Sequence, residues 1–212
     1  TSTTSVNATA GFSIVTYTGN GAAGATVGHG LGVAPKMYII KGRSGGSAST
    51  DYWYVYHTSL GNNYRLYLNV TNASSTSANV CYPSGSSLIY MNTGDSFYNG
   101  SSENYVAYCW AEIAGFSKFG SYTGNGSADG VFVYTGFRPK YIMIKNSGWT
   151  NANSEWLIKD TSRDTYNAAQ ATLAAESSSA EFNGSNQYID ILSNGFKLRN
   201  STVAMNDSAY TY

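Results

Sequence analysis

Tyr17–Gly21 has the sequence Tyr-Thr-Gly-Asn-Gly, and the same five residues return as Tyr122–Gly126, 105 positions later. Upstream of each copy stands a second shared string, Gly-Phe-Ser, at Gly11–Ser13 and again at Gly115–Ser117. Two strings that recur in the same order at nearly the same offset are typical of a chain built from repeated units. The repeat therefore decides how the rest of the sequence is interpreted.

The correspondence continues along the chain at offsets of 103 to 105 residues. It pairs Pro35-Lys36 with Pro139-Lys140, Ile40-Lys41 with Ile144-Lys145, Trp53 with Trp156, Thr58-Ser59 with Thr161-Ser162, and Tyr105 with Tyr210. The sequence thus predicts two homologous domains, residues 1–113 and residues 114–212. In this register the second domain stops inside its last strand, so we expect it to be truncated and the chain to be a segment of a longer polypeptide.

Each domain contains short runs of β-branched, aromatic and alternating residues between clusters of Gly, Asn and Ser. The clearest runs are Lys36–Lys41, Tyr52–His57, Tyr64–Asn69 and Tyr105–Trp110. Strands at this spacing are typical of sandwiches and barrels. The sequence therefore predicts an all-β fold made of two tandem, homologous antiparallel β-sandwich repeats of the jelly-roll or lectin-like type.

One segment conflicts with this interpretation. Tyr166–Glu176 is rich in Ala, and its composition favours a helix by intrinsic propensity. Its repeat partner, Tyr64–Asn69, has the composition of a strand. Because two copies of one fold keep the same elements, we predict a strand for Tyr166–Glu176.

The composition excludes several classes of protein. Only 11% of the 212 residues are charged, 12 Lys and Arg balance 12 Asp and Glu, and there are 23 Gly, 19 Tyr and 3 Pro. Ordinary soluble domains carry about 25% charged residues. A net charge of zero leaves no basic stripe for phosphates, so no nucleic-acid partner is expected. No apolar run approaches the ~20 residues of a membrane span, so no membrane partner is expected either.

The repeated glycine string has two interpretations. Gly19–Gly24 matches the dinucleotide-binding fingerprint, but that fingerprint requires a helix after the last glycine, and none is indicated. An Asn-Gly hairpin turn explains both copies better. We therefore predict that the following residues form structural turns and hold no cofactor: Gly19, Asn20, Gly21, Gly124, Asn125 and Gly126.

Other strings that look catalytic are also expected to be loops. Gly42–Gly46 has the spacing of a hydrolase nucleophile elbow, and Gly94–Ser96 resembles an esterase signature, but neither lies between a strand and a helix. The two histidines are not shared between the domains: Asp160 stands opposite His57, and Tyr134 or Thr135 stands opposite His29. We predict no catalytic residue, no metal ligand and no cofactor, and hence no enzyme. We expect Cys81 and Cys109 to be buried free thiols rather than a disulfide.

The aromatic and amide side chains suggest a surface for carbohydrate. Aromatic faces stack on the apolar side of a sugar ring, and amides and hydroxyls bind its hydroxyl groups without any net charge. Trp53 and Trp156 occupy equivalent repeat positions, which favours the core for both. The candidate contacts for a glycan or protein partner are Trp149, Tyr52, Tyr54 and His29.

Six strings together resemble the tandem-repeat domain of tail-fibre and other virion proteins of marine bacteriophages, notably cyanophages. They are Tyr17–Gly21, Gly28–Lys36, Tyr105–Glu112, Gly115–Gly126, Gly136–Lys140 and Ser193–Arg199. The resemblance covers nearly the whole chain. It implies a non-enzymatic structural or receptor-binding module on the surface of a virion, and it carries no catalytic residues.

From this resemblance we expect a structural module of a tail fibre or other virion appendage that binds a host surface glycan. Its partners would be other virion subunits, and we expect a homo-oligomer, specifically a homotrimer. Two alternatives remain open. One is a decoration protein on the capsid surface, and the other, from a different class, is a carbohydrate-active tailspike enzyme.

Overall fold

A computed structural model describes residues 2–44, 52–76, 80–150, 154–183 and 186–212. Over these residues, β-strands joined by turns and loops are the regular structure of the chain. Every strand pair in these ranges is antiparallel, and no α-helix occurs in them. The all-β prediction is therefore confirmed. Over the same ranges, no helix is long and apolar enough to cross a membrane.

The described residues divide into two compact units. Unit 1 comprises Thr1–Tyr67 and Ser74–Gly120, and unit 2 comprises Leu68–Ala73 and Ser121–Tyr212.

The described part of unit 1 contains ten strands in two sheets. They are β1 (Ser2–Asn7), β2 (Phe12–Thr18), β3 (Ala25–Gly28), β4 (Met37–Ser44), β5 (Trp53–His57), β6 (Tyr64–Tyr67), β7 (Ser75–Thr76), β8 (Cys81–Ser84), β9 (Leu88–Met91) and β10 (Asn104–Trp110). The larger sheet has the order β1-β2-β10-β4-β5-β6-β7, and the smaller has the order β3-β9-β8. The four runs predicted as strands correspond to β4, β5, β6 and β10.

The core of unit 1 follows from the two-residue period of its strands. In β10 the alternate residues Tyr105, Ala107 and Cys109 are fully buried, and the residues between them are half-buried. They pack in one cluster with residues of the smaller sheet such as Ile89 and Met91. Cys81 and Cys109 both lie in this cluster as free thiols, as predicted.

Unit 2 contains six strands in two three-stranded sheets over its described residues. They are β11 (Phe132–Tyr134), β12 (Tyr141–Lys145), β13 (Trp156–Asp160), β14 (Leu173–Ala174), β15 (Ile189–Leu192) and β16 (Gly195–Leu198). The sheets have the orders β11-β16-β15 and β12-β13-β14. Their apolar faces meet in a second core cluster that includes Ile144, Leu157, Ile189 and Leu198.

The Ala-rich segment Tyr166–Glu176 is not helical. It holds the short strand β14, which pairs with β13, and it bridges to Phe182 and Ile189 outside that strand. The Asp164 carboxylate accepts the backbone N–H groups of two residues in the segment, at 2.8 and 2.6 Å. Tertiary hydrogen bonds thus override a weak helical propensity, and the predicted strand is confirmed only over Leu173–Ala174.

A buried asparagine anchors the repeated Tyr-Thr-Gly-Asn-Gly string in both units. In unit 1 the Asn99 side chain accepts the N–H of Asn20 at 3.1 Å and donates to the carbonyl of Ala22 at 2.9 Å, while its own carbonyl accepts the N–H of Gly21 at 3.0 Å. Asn99 is only 2% exposed, and removal of its side-chain amide would leave the N–H of Asn20 and the carbonyl of Ala22 without this partner.

Unit 2 repeats this arrangement with Asn206, which is fully buried. Its side chain accepts the N–H of Asn125 at 3.1 Å and donates to the carbonyl of Ser127 at 2.9 Å, and its carbonyl accepts the N–H of Gly126 at 2.7 Å. In both units the string therefore leads into a loop that is hydrogen-bonded to a segment about 80 residues further along the chain. The predicted hairpin is wrong, since β2 and β3 belong to different sheets.

Glycine is required at the start of each loop because the backbone approaches too closely for a side chain. A Cβ atom at Gly19 would lie 2.2 Å from the carbonyl oxygen of Gly100, and one at Gly124 would lie 2.3 Å from that of Asp207. These distances are shorter than any van der Waals contact.

A stacked tyrosine pair completes the arrangement in each unit. Tyr17 stacks on Tyr105 with ring centroids 5.2 Å apart, and Tyr122 stacks on Tyr212 at 5.1 Å. The hydroxyl of Tyr105 accepts the N–H of Gly100, as that of Tyr212 accepts the N–H of Asp207. Tyr105 therefore corresponds to Tyr212, and the pairing with Tyr210 that the sequence suggested is wrong by two residues.

Two lysines are buried in unit 2. Lys159 is fully buried, and its ammonium donates to the carbonyl of Gln170 at 2.9 Å and to the hydroxyl of Thr172 at 2.6 Å. Lys145, 7% exposed, donates to the carbonyls of Thr71 and Ser154. Desolvation lowers the pKa of each ammonium to about 8.

We predict that Asn99→Ala lowers the free energy of unfolding of unit 1 by about 2–4 kcal/mol, because it removes the buried amide that bonds the N–H of Asn20 and the carbonyls of Ala22 and Thr93. Urea unfolding followed by circular dichroism measures the change. Asn104→Ala is the matched control. Asn104 is exposed, and in the described structure its side chain bonds to the side chains of Thr18 and Ser44 and not to the backbone. Equal losses in the two variants would contradict the prediction.

We predict that the two units respond to alkaline pH in opposite directions. Lys145 and Lys159 release their protons near pH 8 in folded unit 2 and near pH 10.5 in the unfolded chain, so the free energy of unfolding of unit 2 rises between pH 8 and 10. In unit 1, burial raises the pKa of Cys81 and Cys109 from 9.0 to about 12, so its stability falls as the pH rises above 9.

Urea titrations followed by isoleucine methyl NMR signals report each unit separately, through Ile40 and Ile89 in unit 1 and Ile142 and Ile189 in unit 2. Lys159→Met removes one of the titrating groups, so the rise for unit 2 should become shallower. A constant or falling stability of unit 2 over this range would refute the assignment.

Candidate functional site

Unit 1 carries an aromatic cluster that reaches the surface. We define it as Tyr52, Tyr67 and Phe97 together with Arg65. The ring centroid of Tyr52 lies 4.7 Å from that of Tyr67 and 5.6 Å from that of Phe97. The ring centroids of Tyr67 and Phe97 are 5.4 Å apart. Tyr52 is 36% exposed, and the other two rings are half-buried. The three rings thus form one contiguous apolar surface.

Strand periodicity places these residues together. Tyr67 pairs with Tyr54 across β6 and β5, and Tyr52 lies two residues before Tyr54, so all three side chains share one face of the sheet. Arg65 lies two residues before Tyr67 on the same face. Phe97 comes from the loop between β9 and β10. The row of rings therefore runs from the buried Tyr54 outward to the exposed Tyr52.

The charge of Arg65 is held inside the cluster. Its guanidinium carbon lies 5.7 Å from the ring centre of Tyr67 and 5.2 Å from that of Phe97, which are cation–π distances. Asp95 lies 3.7 Å away, from its Oδ2 to Nη1 of Arg65. The charge of Arg65 is therefore balanced by Asp95, and its guanidinium packs against the rings of Tyr67 and Phe97.

Asp95 also orders the loop that carries Phe97. Its Oδ1 accepts the N–H of Phe97 at 3.0 Å, and its backbone carbonyl accepts the N–H groups of Tyr98 and Asn99. The loop with Gly94–Ser96, predicted as a turn, is thus tied both to the cluster and to the buried Asn99. A rigid loop beneath the rings lowers the entropy cost of binding.

The cluster is suited to stacking chemistry. Flat aromatic faces with phenol hydroxyls at the edge match a sugar ring, which has an apolar face and a polar rim. Arg65 and Asp95 are each less than 20% exposed as side chains, so the solvent meets mainly ring carbon and tyrosine hydroxyl. This surface fits a neutral, flat ligand better than an ion.

Two of the four candidate contacts are buried instead. Tyr54 is fully buried in the core, where its hydroxyl donates to the carbonyl of Cys81 at 3.3 Å and accepts its N–H at 3.2 Å. His29 is also fully buried, and its Nδ1 accepts the N–H of Leu31. Burial lowers the pKa of His29 and keeps it neutral. The prediction that these residues contact a ligand is therefore wrong.

Trp149, predicted to be exposed, is half-buried. Its ring meets that of Tyr210 edge to face, with centroids 5.2 Å apart, and its indole nitrogen is buried. Of the tryptophans assigned to the core, Trp156 is 5% exposed and confirmed. Trp53 is only half-buried, with the Lys41 ammonium 5.6 Å from its ring centre.

The strings that resemble catalytic motifs form no catalytic arrangement among the described residues. Ser44 ends β4, and its hydroxyl bonds to the side chain of Asn104. The rest of the Gly42–Gly46 string lies outside the described ranges. His57 accepts the N–H of Ser59, as Asp160 accepts that of Ser162, so the two play the same turn role in their units. Over the described ranges, no group of three or more His, Cys, Asp or Glu could hold a metal ion.

The comparisons with known proteins add a family to this description. No match is found among curated proteins or among solved structures. The profile of one family, described as "Domain of unknown function (DUF7483)", matches residues 1–212, which is the full length of the sequence. The chain therefore belongs to the DUF7483 family.

Proposed function

We propose that this chain is a non-enzymatic structural module of a bacteriophage virion appendage, such as a tail fibre, and that its aromatic cluster contacts glycans on the host surface. The bacteriophage context rests on the resemblance of the six strings named above. The binding role rests on one observation, the surface formed by Tyr52, Tyr67 and Phe97 over Arg65.

We further propose that the two units are tandem β-sandwich repeats that serve as stiff links in an extended appendage. Each unit has two antiparallel sheets whose apolar residues form one core cluster. The same asparagine, glycine and tyrosine contacts recur in both. Serial modules with their own cores extend a structure without needing a common core.

Among the described residues the aromatic cluster occurs in unit 1 alone, which supports a division of roles. Counting from the equivalence of Asn99 with Asn206, Phe97 corresponds to Ala204, which is buried in the core of unit 2. The contacts that hold the fold are duplicated, whereas this surface is not. Such a difference is expected when one copy acquires a binding role and the other keeps only a structural one.

Charge balance is consistent with binding to neutral sugar at high ionic strength. In seawater the screening length is about 4 Å, so exposed ionic contacts lose most of their attraction. Stacking of rings on sugar carbon is not weakened by salt. The one charged member of the cluster, Arg65, faces the carboxylate of Asp95.

We predict that Tyr52→Ala weakens binding to host surface polysaccharide about tenfold, which corresponds to the loss of about 1.4 kcal/mol from one stacked ring. Tyr64→Ala is the matched control, because Tyr64 is 38% exposed in the same unit but makes no ring contact with the cluster in the described structure. A glycan array selects the ligand, and calorimetric titration measures the affinity.

Three results would count against this function. If no host glycan binds the wild-type protein, the binding role falls and a purely structural module remains. If both tyrosine variants lose affinity equally, the contact lies elsewhere. Release of reducing ends from the polysaccharide would instead favour a tailspike enzyme and contradict the non-enzymatic role.

A further inference from the structure

One sheet of unit 2 carries two exposed aromatic rings on the side turned away from the core. In β11-β16-β15, Phe132 pairs with Lys197 and Tyr134 pairs with Gly195. Val133, between the two rings, packs against the core cluster of unit 2, so its neighbours along the strand point to the opposite side. Phe132 is 42% exposed and Tyr134 is 65% exposed. The solvent therefore meets aromatic carbon along β11.

The ring of Phe132 lies across the neighbouring strand. A Cβ atom at Gly195 would be 2.9 and 3.0 Å from the Cζ and Cε2 atoms of this ring. The ring thus fills the space that a side chain at position 195 would need. Lys197 is on the same side of β16 and stands directly opposite Phe132. Because the Cβ atoms of directly opposite residues are about 5 Å apart, the ring and the lysine are close neighbours on one surface.

Four charged side chains form one network beside the rings. The Oδ1 atom of Asp129 lies 2.8 Å from Nζ of Lys197 and 3.6 Å from Nη1 of Arg199. Nε of Arg199 lies 2.8 Å from Oδ2 of Asp190. Two acids and two bases balance each other, and the 80% exposed side chain of Asp129 keeps Oδ2 out of both of its ion pairs. The two rings and these four side chains make up the outer face of the sheet.

Unit 1 forms the same kind of sheet without these six residues. The N–H of Gly24 donates to the carbonyl of Met91, and in the same way the N–H of Gly130 donates to that of Leu198. This equivalence aligns β3-β9-β8 with β11-β16-β15, strand for strand. In unit 1 the six positions hold Thr26, Gly28, Ala23, Tyr90, Asn92 and Tyr82, in place of Phe132, Tyr134, Asp129, Lys197, Arg199 and Asp190. None of the six is charged, so this sheet folds without the network.

Stability does not explain why these residues lie together in unit 2. Ion pairs at the surface contribute little to stability, because water and salt screen them. The whole chain has 12 basic and 12 acidic residues, and two of each stand in this network. In a chain so poor in charge, a concentration of charged groups beside exposed rings indicates a binding surface.

We propose that the outer face binds a neutral sugar through two adjacent hydroxyl groups. The apolar side of the sugar ring stacks on Phe132 and Tyr134. One hydroxyl donates to the carboxylate of Asp129, and the adjacent hydroxyl accepts from the ammonium of Lys197. Hydrogen bonds to charged partners are stronger than those between neutral groups, so a few of them add substantially to stacking.

The balanced network favours a neutral ligand over an ion. Each charge already has a partner of opposite sign, so a carboxylate or sulfate on the sugar would have to displace Asp129 from Lys197 or lie beside it. A hydroxyl group adds a hydrogen bond to Asp129 and leaves the ion pair intact. The ion pairs also hold the side chains in position, which lowers the entropy cost of binding.

This inference goes beyond the proposed function, because it gives unit 2 a ligand of its own. It uses no residue of the aromatic cluster of unit 1, so either site can fail in experiment without the other.

The first test is an NMR titration of the full chain with the methyl glycosides of glucose, galactose and mannose. We expect at least one of them to shift the backbone amide signals of Val133 and Lys197 until the signals saturate. Phe132→Thr and Asp129→Ala should each weaken this binding about tenfold, because each removes one contact with the sugar. Both substitutions introduce the residue that unit 1 has at the same position, so the sheet keeps its fold.

Two further variants serve as controls in the same titration. Tyr141→Ala is matched to Phe132→Thr, because Tyr141 is an aromatic residue of unit 2, 55% exposed, in the other sheet. Tyr52→Ala alters only the aromatic cluster of unit 1. Neither should change the affinity measured at Val133. A loss of affinity in Tyr141→Ala equal to that in Phe132→Thr, or loss of the shifts in Tyr52→Ala, would place the sugar elsewhere and overturn the proposal.

Two other outcomes of this experiment would also overturn it. If none of the three glycosides shifts the signals of Val133 and Lys197, the outer face does not bind sugar. If sedimentation velocity shows that the wild-type chain associates with rising concentration and that Phe132→Thr abolishes the association, the face contacts a second copy of the chain instead.

The second test identifies the groups of the sugar that are recognised. Among monodeoxy derivatives of the bound glycoside, the two that lack one of an adjacent pair of hydroxyls should bind about tenfold more weakly. The matching uronate should also bind more weakly, because Asp129 already faces both bases. Equal affinity of all deoxy derivatives, or a uronate that binds as tightly as the neutral sugar, would refute this mode of recognition.

Discussion

The constraint on which both units depend is a single buried amide. Asn99 and Asn206 each bring a side-chain acceptor, a donor group and a backbone carbonyl to the loop of the repeated string. Both asparagine side chains are buried, so losing these bonds costs more than making them yields. The loop cannot slide relative to the segment that holds the asparagine. The strands on either side thereby keep their register.

The glycines and tyrosines around the amide follow from this attachment. When the loop is drawn onto the asparagine, the backbone at Gly19 or Gly124 comes so near a carbonyl that no side chain fits. The stacked tyrosines fill the space beside it, and their hydroxyls bind carbonyls that the turn leaves free, those of Tyr98 and Ser96 in unit 1. A network of this kind is polar yet needs no charge. It explains how a chain with few ionisable residues specifies a defined β-structure.

The sequence predicted the all-β class and the strands β4, β5, β6 and β10, because alternation and β-branched residues report local structure directly. The Asn-Gly string was found, but its role was misread as a hairpin, since the partner Asn99 is 79 residues away and a local rule cannot see it. The six-residue spacing from Asn99 to Tyr105 and from Asn206 to Tyr212 is the signal that would have revealed it. It would also have corrected the register at the end of unit 2.

The candidate site was predictable only in part, for the same reason. Tyr52 was identified, but Tyr54 was assigned to the same surface, although pairing with Tyr67 turns it into the core. Arg65 and Tyr67 could be inferred once β5 and β6 are paired, whereas Phe97 lies on a loop whose path depends on Asp95. Since the amide network is present twice among the described residues and the aromatic cluster once, the contacts that hold the fold and the exposed rings depend on different side chains. Substitutions of Tyr52, Tyr67 or Phe97 therefore leave the buried amide of either unit and its partners in place.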